Sequence, residues 1–337
     1  MNLNETSPKL NPVLIDRPVG EDSANPWVPS VAVLLPCYNE GLVIRRVVQD
    51  FRRELPDATV FVYDNRSSDN TAEEALAAGA VVRHEPWPGK GNVVRRMFAD
   101  IDTDIYLMAD GDGTYDVKAA PALVKRMIDA HLDMVVGTRR NVYDDAHRFG
   151  HGFGNRLFNG IYRQLFGRLF TDIFSGYRVF SHRFVKSFPA VASGFEIESE
   201  MSVHASQLRM PIEEIPTDYG SRQEGSMSKL RTVHDALRIL RTLGLLFKEI
   251  HPARFYALIA GGLSMVSLVI AAPVMITFAE TGFVPRLPTA VLATGLMLLA
   301  GIALTCGLIL DSVARGRLEL KRLHYLQLTQ FRPRRRP

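Results

Sequence analysis

Two carboxylates one residue apart, Asp110 and Asp112, stand where an apolar run of the chain ends in Asp-Gly-Asp-Gly. Carboxylate oxygens suit hard cations such as Mg²⁺ or Mn²⁺, and these ions commonly keep substrate phosphates in their coordination shell. An ion there would neutralise charge on a leaving diphosphate. An ordinary turn explains the pair equally well. The same spacing recurs over residues 100–104, but those acids precede the apolar run, which favours a solvated turn.

Polar segments also follow two earlier apolar runs. PCYNEG over residues 36–41 follows the first run, and YDNRSSD over residues 63–69 follows the second. Each places polar side chains at the end of a predicted strand, where a nucleotide could sit. A plain turn is the alternative for the first segment and a helix cap for the second. If the runs form neighbouring parallel strands, their carboxyl ends meet at the edge where open α/β sheets bind ligands.

The elements that must position these residues alternate between strand and helix. Because such alternation implies a mostly parallel sheet with helices on both faces, the predicted fold class is α/β. Thr71 and Glu74 fit a capping box that opens the second helix. The strands are predicted over residues 31–36, 59–64, 80–84, 104–110 and 133–137, and the helices over residues 41–54, from 71 onwards, 92–99 and 117–130.

Two uncharged runs of 24 residues each, over residues 255–278 and 287–310, follow the α/β part. At ~1.5 Å per residue each helix would be about 36 Å long, enough to cross a hydrocarbon core of about 30 Å. Basic residues flank the pair on both sides, so the positive-inside rule puts both flanks in the cytoplasm. We therefore expect a multi-pass protein of the inner (plasma) membrane, with the α/β part and both termini cytoplasmic.

Basic segments adjoin both uncharged runs. Over residues 228–250, apolar side chains recur at helical spacing and arginines lie on other faces, as in a helix that lies in the membrane interface. An ordinary surface helix has the same pattern. The segment from Val313 carries a net charge of +7, although the whole chain carries only +4. Because it directly follows a span, this charge favours anionic membrane lipids over nucleic acid as a partner.

Seven segments occur in an order and spacing that resembles the family 2 inverting glycosyltransferases of the GT-A fold. The later segments resemble the branch that includes dolichyl-phosphate mannose synthase and bacterial polyprenyl-phosphate glycosyltransferases. The resemblance covers roughly Val31 to Arg231, and two C-terminal spans are common in that branch. The segments are PCYNEG, YDNRSSDNT, GKGNVVRRMF, DGDGTYD, SGYRVFS, GFEIESE and RQEGSMSKLR.

The resemblance implies a role for individual residues. One departure is Asn65-Arg66, where many relatives read Asp-Gly, and this position is expected to tune the contact with the base or ribose. The implied residues are Pro36, Tyr38, Glu40 and Asp64 for the nucleotide pocket; Lys90 for the donor loop; Asp110 and Asp112 for the metal and diphosphate; Asp112, Arg178 and Asp172 for catalysis; and Arg222, Ser226, Ser228 and Lys229 for a loop that grips phosphate.

Five segments make up the predicted chain. Residues 1–29 form a flexible lead-in, and residues 30–227 form a cytoplasmic GT-A catalytic domain. An amphipathic interfacial helix over 228–254 leads into a two-helix transmembrane hairpin over 255–312. A basic cytoplasmic tail over 313–337 follows.

The implied activity is the inverting transfer of a sugar from a nucleotide-sugar to a polyprenyl phosphate. The acceptor is already anionic, with a second phosphate pKa near 6, so a strong general base is hardly needed. The product would be a polyprenyl-monophosphate sugar that serves as donor for cell-envelope glycan modification. UDP is favoured as the nucleotide, and the sugar stays open. The oligomeric state also stays open, with a homo-oligomer among the alternatives.

Three other functions compete with this one. A processive membrane polysaccharide synthase would carry a Q-x-x-R-W element, but neither Trp27 nor Trp87 follows an arginine. A nucleotidyltransferase would need neither two spans nor the RQEGSMSKL loop. A non-catalytic membrane scaffold would not need the intact acidic and basic residues of the motifs.

Overall fold

A mostly parallel β-sheet carries the polar loops described above. The computed structural model describes residues 28–140, 170–194, 196–220, 244–245 and 247–331. The strands there are β1 (Val31–Cys37), β2 (Thr59–Asp64), β3 (Val81–His84), β4 (Ile105–Met108), β5 (Met134–Arg140), β6 (Arg178–Ser181) and β7 (Ile212–Asp218). They follow the order β3-β2-β1-β4-β6-β5-β7, and β6 alone of these seven runs against the others. The predicted α/β class is confirmed.

Helices cover both faces of the sheet because each strand alternates apolar side chains between two buried clusters. Side chains of α3, α5 and α6 pack on one face, and those of α1 and α4 pack on the other. The helices are α1 (Ile44–Glu54), α2 (Thr71–Ala77), α3 (Lys90–Asp100), α4 (Ala120–Asp129), α5 (His182–Ser187), α6 (Ile197–Leu208), α7 (Pro252–Thr281) and α8 (Leu287–Gln327).

Some local predictions differ from the structure. Helix α2 begins at Thr71 as predicted, but no capping box forms: the Thr71 hydroxyl contacts Asp69, and Glu74 pairs with Arg45. Of the acids over 100–104, Asp104 is buried and accepts hydrogen bonds from Ser30, so that segment is not simply a solvated turn. Strands β6 and β7 were not among the predicted strands: β6 has only four residues and lies within the SGYRVFS segment, and β7 reads IEEIPTD, in which acids and a proline interrupt the apolar pattern.

The two long helices α7 and α8 form an antiparallel pair and are candidate membrane spans. Their buried positions recur every seven residues: Ala260, Ser267 and Val274 on α7, and Ala293, Ala300 and Gly307 on α8. The Ser267 hydroxyl donates to the Ala293 carbonyl at 2.7 Å, and a Cβ on Gly307 would lie 2.7 Å from the Tyr256 Cβ. Small residues thus permit the close approach typical of membrane helices. The remaining apolar side chains are largely exposed, unlike those of a soluble core helix.

Helix α8 continues well past its apolar run and packs on the α/β domain. It contains 41 residues, so the basic segment from Val313 is helical as far as Gln327 and not a separate tail. Near its end the Tyr325 hydroxyl donates to Asp133 at 2.6 Å, and Arg183 lies over the Tyr325 ring at 4.4 Å. Asp133 is fully buried and also pairs with Arg183 at 2.8 Å.

Two predicted segments lie mainly outside the described residues. The N-terminal lead-in is described only from residue 28. The interfacial helix over 228–254 is described only at 244–245 and from 247, where the chain is helical up to residue 250 and α7 begins at Pro252.

Candidate active site

The carboxyl ends of β1, β2 and β4 bring the predicted polar loops together. β1 lies between β2 and β4, and all three strands run parallel. Glu40 follows β1, Asp64 ends β2, and Asp110 follows β4 two residues after Met108. Because neighbouring parallel strands end at one edge, segments far apart in the chain line a single cleft.

The loops after β1 and β2 are joined by side-chain hydrogen bonds. The Asn39 amide donates to the Ser67 hydroxyl at 2.8 Å, and the Glu40 amide donates to the Thr71 hydroxyl at 2.8 Å. Pro36 lies within β1 opposite Tyr63, whereas Tyr38 is 47% exposed at the edge. A half-exposed aromatic ring on a braced loop is suited to contact a planar ligand.

The Asp64 carboxylate lies buried at the end of β2. It accepts weak hydrogen bonds from the Ser67 amide at 3.3 and 3.4 Å and lies 3.3 Å from His84 Nδ1 on β3. These contacts orient the carboxylate. Asp64 is the residue that the motif pattern assigns to the nucleotide pocket.

Asn65 holds the loop that leads to Lys90. Its side-chain NH₂ donates to the carbonyls of Glu85 (2.9 Å) and Trp87 (2.7 Å), and its Oδ1 accepts from the Gly89 amide at 2.8 Å. An aspartate has no NH₂ group and cannot make the first two bonds. The departure at this position therefore braces the loop over residues 85–89, and its expected effect on the contact with the base or ribose stays a prediction.

Lys90 lies between two carboxylates. Its Nζ contacts Asp110 Oδ1 and lies 2.5 Å from Glu198 Oε1, and both Lys90 and Glu198 are largely buried. Burial opposes the charge on Lys90, but the two carboxylates raise its pKa, so the ammonium stays charged. Burial and the nearby Asp110 raise the pKa of Glu198, against the lowering effect of Lys90. Lys90 is thus held against Asp110 from behind by Glu198.

Asp112 is buried, and its Oδ1 accepts from both the Thr114 hydroxyl at 2.6 Å and the Thr114 amide at 3.2 Å. Asp110 is more open, with 30% of its side chain exposed. Across the described residues, no group of three or more His, Cys, Asp or Glu side chains is arranged to hold a metal ion by itself. A cation held by Asp110 and Asp112 would need further ligands, and the phosphates of a bound substrate and water are the usual ones for Mg²⁺.

The SGYR segment adjoins Asp110 through its glycine. A Cβ on Gly176 would lie 3.0 Å from Asp110 Oδ2 and 3.1 Å from Lys90 Nζ, so a larger residue there would press on both side chains. The Gly176 amide donates to the buried Tyr115 hydroxyl at 2.8 Å. The backbone of this segment, more than its side chains, forms the wall beside the acidic pair.

Arg178, the next charged residue of that segment, lies in the protein core. Its exposed fraction is 0%, and its guanidinium donates to the carbonyls of Ile173 and Ser175, both at 2.8 Å, and to the Ser202 hydroxyl at 3.0 Å. The sequence placed Arg178 near the reacting centre, whereas the structure directs its side chain away from the cleft toward α6. Because the carbonyls that it binds belong to the stretch just before Gly176, Arg178 positions the wall beside Asp110.

Asp172 pairs with Arg139 at the end of β5. The guanidinium donates to both carboxylate oxygens, from Nη2 at 2.7 Å and from Nε at 2.8 Å. Burial alone would raise the pKa of Asp172, but the hydrogen bonds and charge of Arg139 hold that pKa below its usual value. Glu214 on β7 accepts from the amides of Thr171 and Asp172, which fixes this corner of the site.

Three residues of this arrangement carried no predicted role: Glu198, Arg139 and Tyr115. Glu198 lies within GFEIESE, a segment that the motif pattern singles out. The motif marked the segment as functional but did not indicate that Glu198 pairs with Lys90. The predicted phosphate-gripping residues, Arg222, Ser226, Ser228 and Lys229, lie outside the described residues.

Comparisons with known proteins find similar sequences. The sequence model described as Glycosyl transferase family 2 matches residues 32–188. Protein RfbJ of Shigella flexneri is 51% identical over 124 residues, which are 35% of this chain and 96% of that protein. Glycosyltransferase AglJ of Haloferax volcanii is 31% identical over 228 residues, 67% of this chain and 72% of that protein.

Among solved structures, glucosyl-3-phosphoglycerate synthase from Mycobacterium tuberculosis, in complex with Mn²⁺, uridine-diphosphate-glucose and phosphoglyceric acid, superimposes with a TM-score of 0.53. The two chains are 21% identical, and the match covers 64% of this chain and 78% of that one. At this identity the likeness concerns the fold, and it confirms the predicted GT-A architecture.

Proposed function

The chain belongs to glycosyltransferase family 2, and from that premise we propose that it transfers a sugar from a nucleotide-sugar to a polyprenyl phosphate at the membrane, with inversion at the anomeric carbon. One observation carries the proposal: the Asp110/Asp112 pair and Lys90 meet at the carboxyl edge of the sheet, in a chain that also has two candidate membrane spans. A soluble acceptor would require no such spans.

The nucleotide-sugar would bind at the ends of β1 and β2, against Tyr38 and Asp64. The same fold holds Mn²⁺ and uridine-diphosphate-glucose in the Mycobacterium synthase, so a donor of this kind is compatible with the sheet. UDP is the favoured nucleotide. Pro36 and Glu40 would shape the pocket, since Pro36 is part of β1 and Glu40 is anchored to Thr71.

Asp110 and Asp112 would hold Mg²⁺ or Mn²⁺. The donor set fits, because both groups are hard oxygen ligands and Mg²⁺ is commonly bound by one or two carboxylates together with substrate phosphates. When bound, the ion would stabilise the negative charge of the departing nucleoside diphosphate. Lys90 contributes a fixed positive charge at the same place, and Glu198 keeps that charge aimed at Asp110.

The acceptor phosphate is expected to act as its own nucleophile. Its oxygen is anionic at neutral pH, so the bond to the anomeric carbon can form without removal of a proton. The enzyme then has to hold two anions in line and exclude water. Asp172 fits a positioning role better than that of a base, because Arg139 binds both of its oxygens. We propose that Arg222, Ser226, Ser228 and Lys229 grip the acceptor phosphate.

The membrane hairpin would place both termini in the cytoplasm. The product, a polyprenyl-monophosphate sugar, would then serve as a donor for cell-envelope glycans. A reporter fused after Pro337 should report cytoplasm and one near Gly282 the opposite side. If both reporters indicate the same side, the two-span arrangement is wrong.

A direct assay tests the reaction. Purified protein is incubated with Mn²⁺, polyprenyl phosphate and a panel of nucleotide-sugars, and the lipid product is identified by its mass. Asp112→Ala and EDTA should each abolish transfer, and EDTA reversibly. Asp102→Ala is the matched control, since Asp102 is an exposed acid of the neighbouring acidic segment, and it should keep full activity. Full activity of the wild type in EDTA would contradict the metal, and absence of any lipid product across the panel would contradict the acceptor.

A further inference from the structure

The C-terminal part of α8 indicates which edge of the sheet faces the membrane. Tyr325 contacts Asp133, the residue just before β5, and therefore lies at the amino edge of the parallel strands. About two turns earlier, Leu318 packs against the buried cluster that includes Ile197 at the start of α6, and Lys321, between these two positions, interacts electrostatically with Glu200 of α6. The start of α6 lies beside the candidate active site, where Glu198 contacts Lys90. The end of α8 therefore lies at the amino edge of the sheet, and its earlier residues, nearer the apolar run, lie at the carboxyl edge. The cleft thus opens on the side of the spans.

The same helix sets the spacing between cleft and bilayer. Asp311 is the first charged residue after the apolar run, and the rise from Asp311 to Lys321 is about 15 Å. The headgroup region extends about 5–8 Å beyond the hydrocarbon core on each side. Only a narrow layer of water therefore separates the headgroups from loops that project from the level of Lys321 toward the spans.

Two such loops present large apolar side chains to solvent. Trp87 is 70% exposed and Val191 is 72% exposed. Their loops are joined at the backbone, where the Gly91 amide donates to the Ser193 carbonyl at 3.1 Å. The Val191 amide donates to Glu200 at 3.0 Å, which fixes its loop at the level of Lys321. Both side chains are thus held out from braced loops at the carboxyl edge.

We propose that Trp87 and Val191 form a membrane-contact surface that rests in the interface of the bilayer crossed by α7 and α8. Tryptophan is enriched at that depth, because its ring is apolar and its N–H stays hydrated. Contact there would bring the mouth of the cleft to the headgroups, where a lipid phosphate resides. This inference rests on the membrane placement proposed above.

Trp87 fluorescence in lipid nanodiscs tests the surface directly. The chain has two tryptophans, so Trp27→Phe leaves Trp87 as the sole tryptophan, and excitation at the red edge of absorption avoids the tyrosines. The variant is reconstituted in discs of phosphatidylcholine and phosphatidylglycerol, with or without bromine on the acyl chains. We expect Trp87 emission to be weaker in discs with bromolipid than in discs without it. In ordinary lipid, the emission maximum should lie to the blue of that of a tryptophan in water. Val191→Trp, in a chain without either native tryptophan, should be quenched in the same way.

Val28 supplies the matched control at the opposite edge. It is 72% exposed just before β1, so Val28→Trp in the tryptophan-free chain should emit like a residue in water and resist quenching. Val81→Trp at the start of β3 repeats this control should the first variant fold poorly. If Trp87 stays unquenched in loaded discs, the membrane-contact surface is wrong, and this holds also where Trp87 is shielded by a second copy of the chain. If residues at both edges are quenched equally, the orientation is wrong. Failure to load discs would overturn the membrane placement as well.

Discussion

Arg178→Lys distinguishes a positioning residue from one that touches the reacting atoms. The guanidinium makes hydrogen bonds to two carbonyls and one hydroxyl in the core. A lysine ammonium is shorter and lacks the planar fork, so we expect it to lose at least two of these bonds. At about 1.5–3 kcal/mol for each bond to a charged group, the free energy of unfolding should fall by about 3–6 kcal/mol.

The loss is large enough to measure by thermal unfolding. For a domain of this size 1 kcal/mol changes Tm by about 2–4 °C, so the Tm of Arg178→Lys should fall by at least about 6 °C. The kcat of the folded fraction should fall by much less than the factor expected for the loss of a catalytic group. The backbone beside Asp110 is loosened, but the charged side chains of the site remain. Arg126→Lys is the matched control: this exposed arginine pairs with Glu213, and such pairs contribute about 0–1 kcal/mol.

The opposite pattern would refute the reasoning. If Arg178→Lys keeps the wild-type Tm and loses a factor of about 10²–10³ in kcat, the side chain behaves like a preorganised donor to the transition state. Arg178 would then have to leave the core when substrate binds, and the position that it occupies against Ser202 would be that of a resting state.

Other predictions concern the remaining parts of the site. Asn65→Asp should lower Tm and weaken nucleotide-sugar binding in calorimetry, because two carbonyls of the 85–89 loop lose their donors; an unchanged Tm would count against the brace. The pKa of Asp172 is lowered by folding, so its stabilising effect is present above the ordinary carboxyl pKa of about 4 and is lost as pH falls below it. Asp172→Asn should therefore reduce Tm at pH 7 and flatten its decline between pH 5 and 3, and an unaltered profile would contradict this. Lys229→Ala should cost about 2–4 kcal/mol of transition-state stabilisation and raise the apparent constant for polyprenyl phosphate. Lost donor affinity would instead assign Lys229 to the donor diphosphate.

Local patterns were enough to predict the sheet and the edge where the site lies. Strand residues 59–64 were predicted with the bounds that the structure has, because an apolar run between polar turns reports burial directly. The polar residues after β1, β2 and β4 could be placed at one edge because the strands alternate with helices. The two apolar runs likewise predicted two long helices from length and composition alone.

Tertiary packing decided what each charged side chain contacts. Arg178 looked like a site residue by its motif, but only the position of α6 shows that its guanidinium turns into the core. Glu198 had a motif but no partner until the fold brought α6 against Lys90. Tyr325 and Asp133 are 192 residues apart, and nothing local links them. Burial is dictated by nearby sequence, whereas the partner of a charge depends on which distant element packs against it, and that is a property of the whole fold.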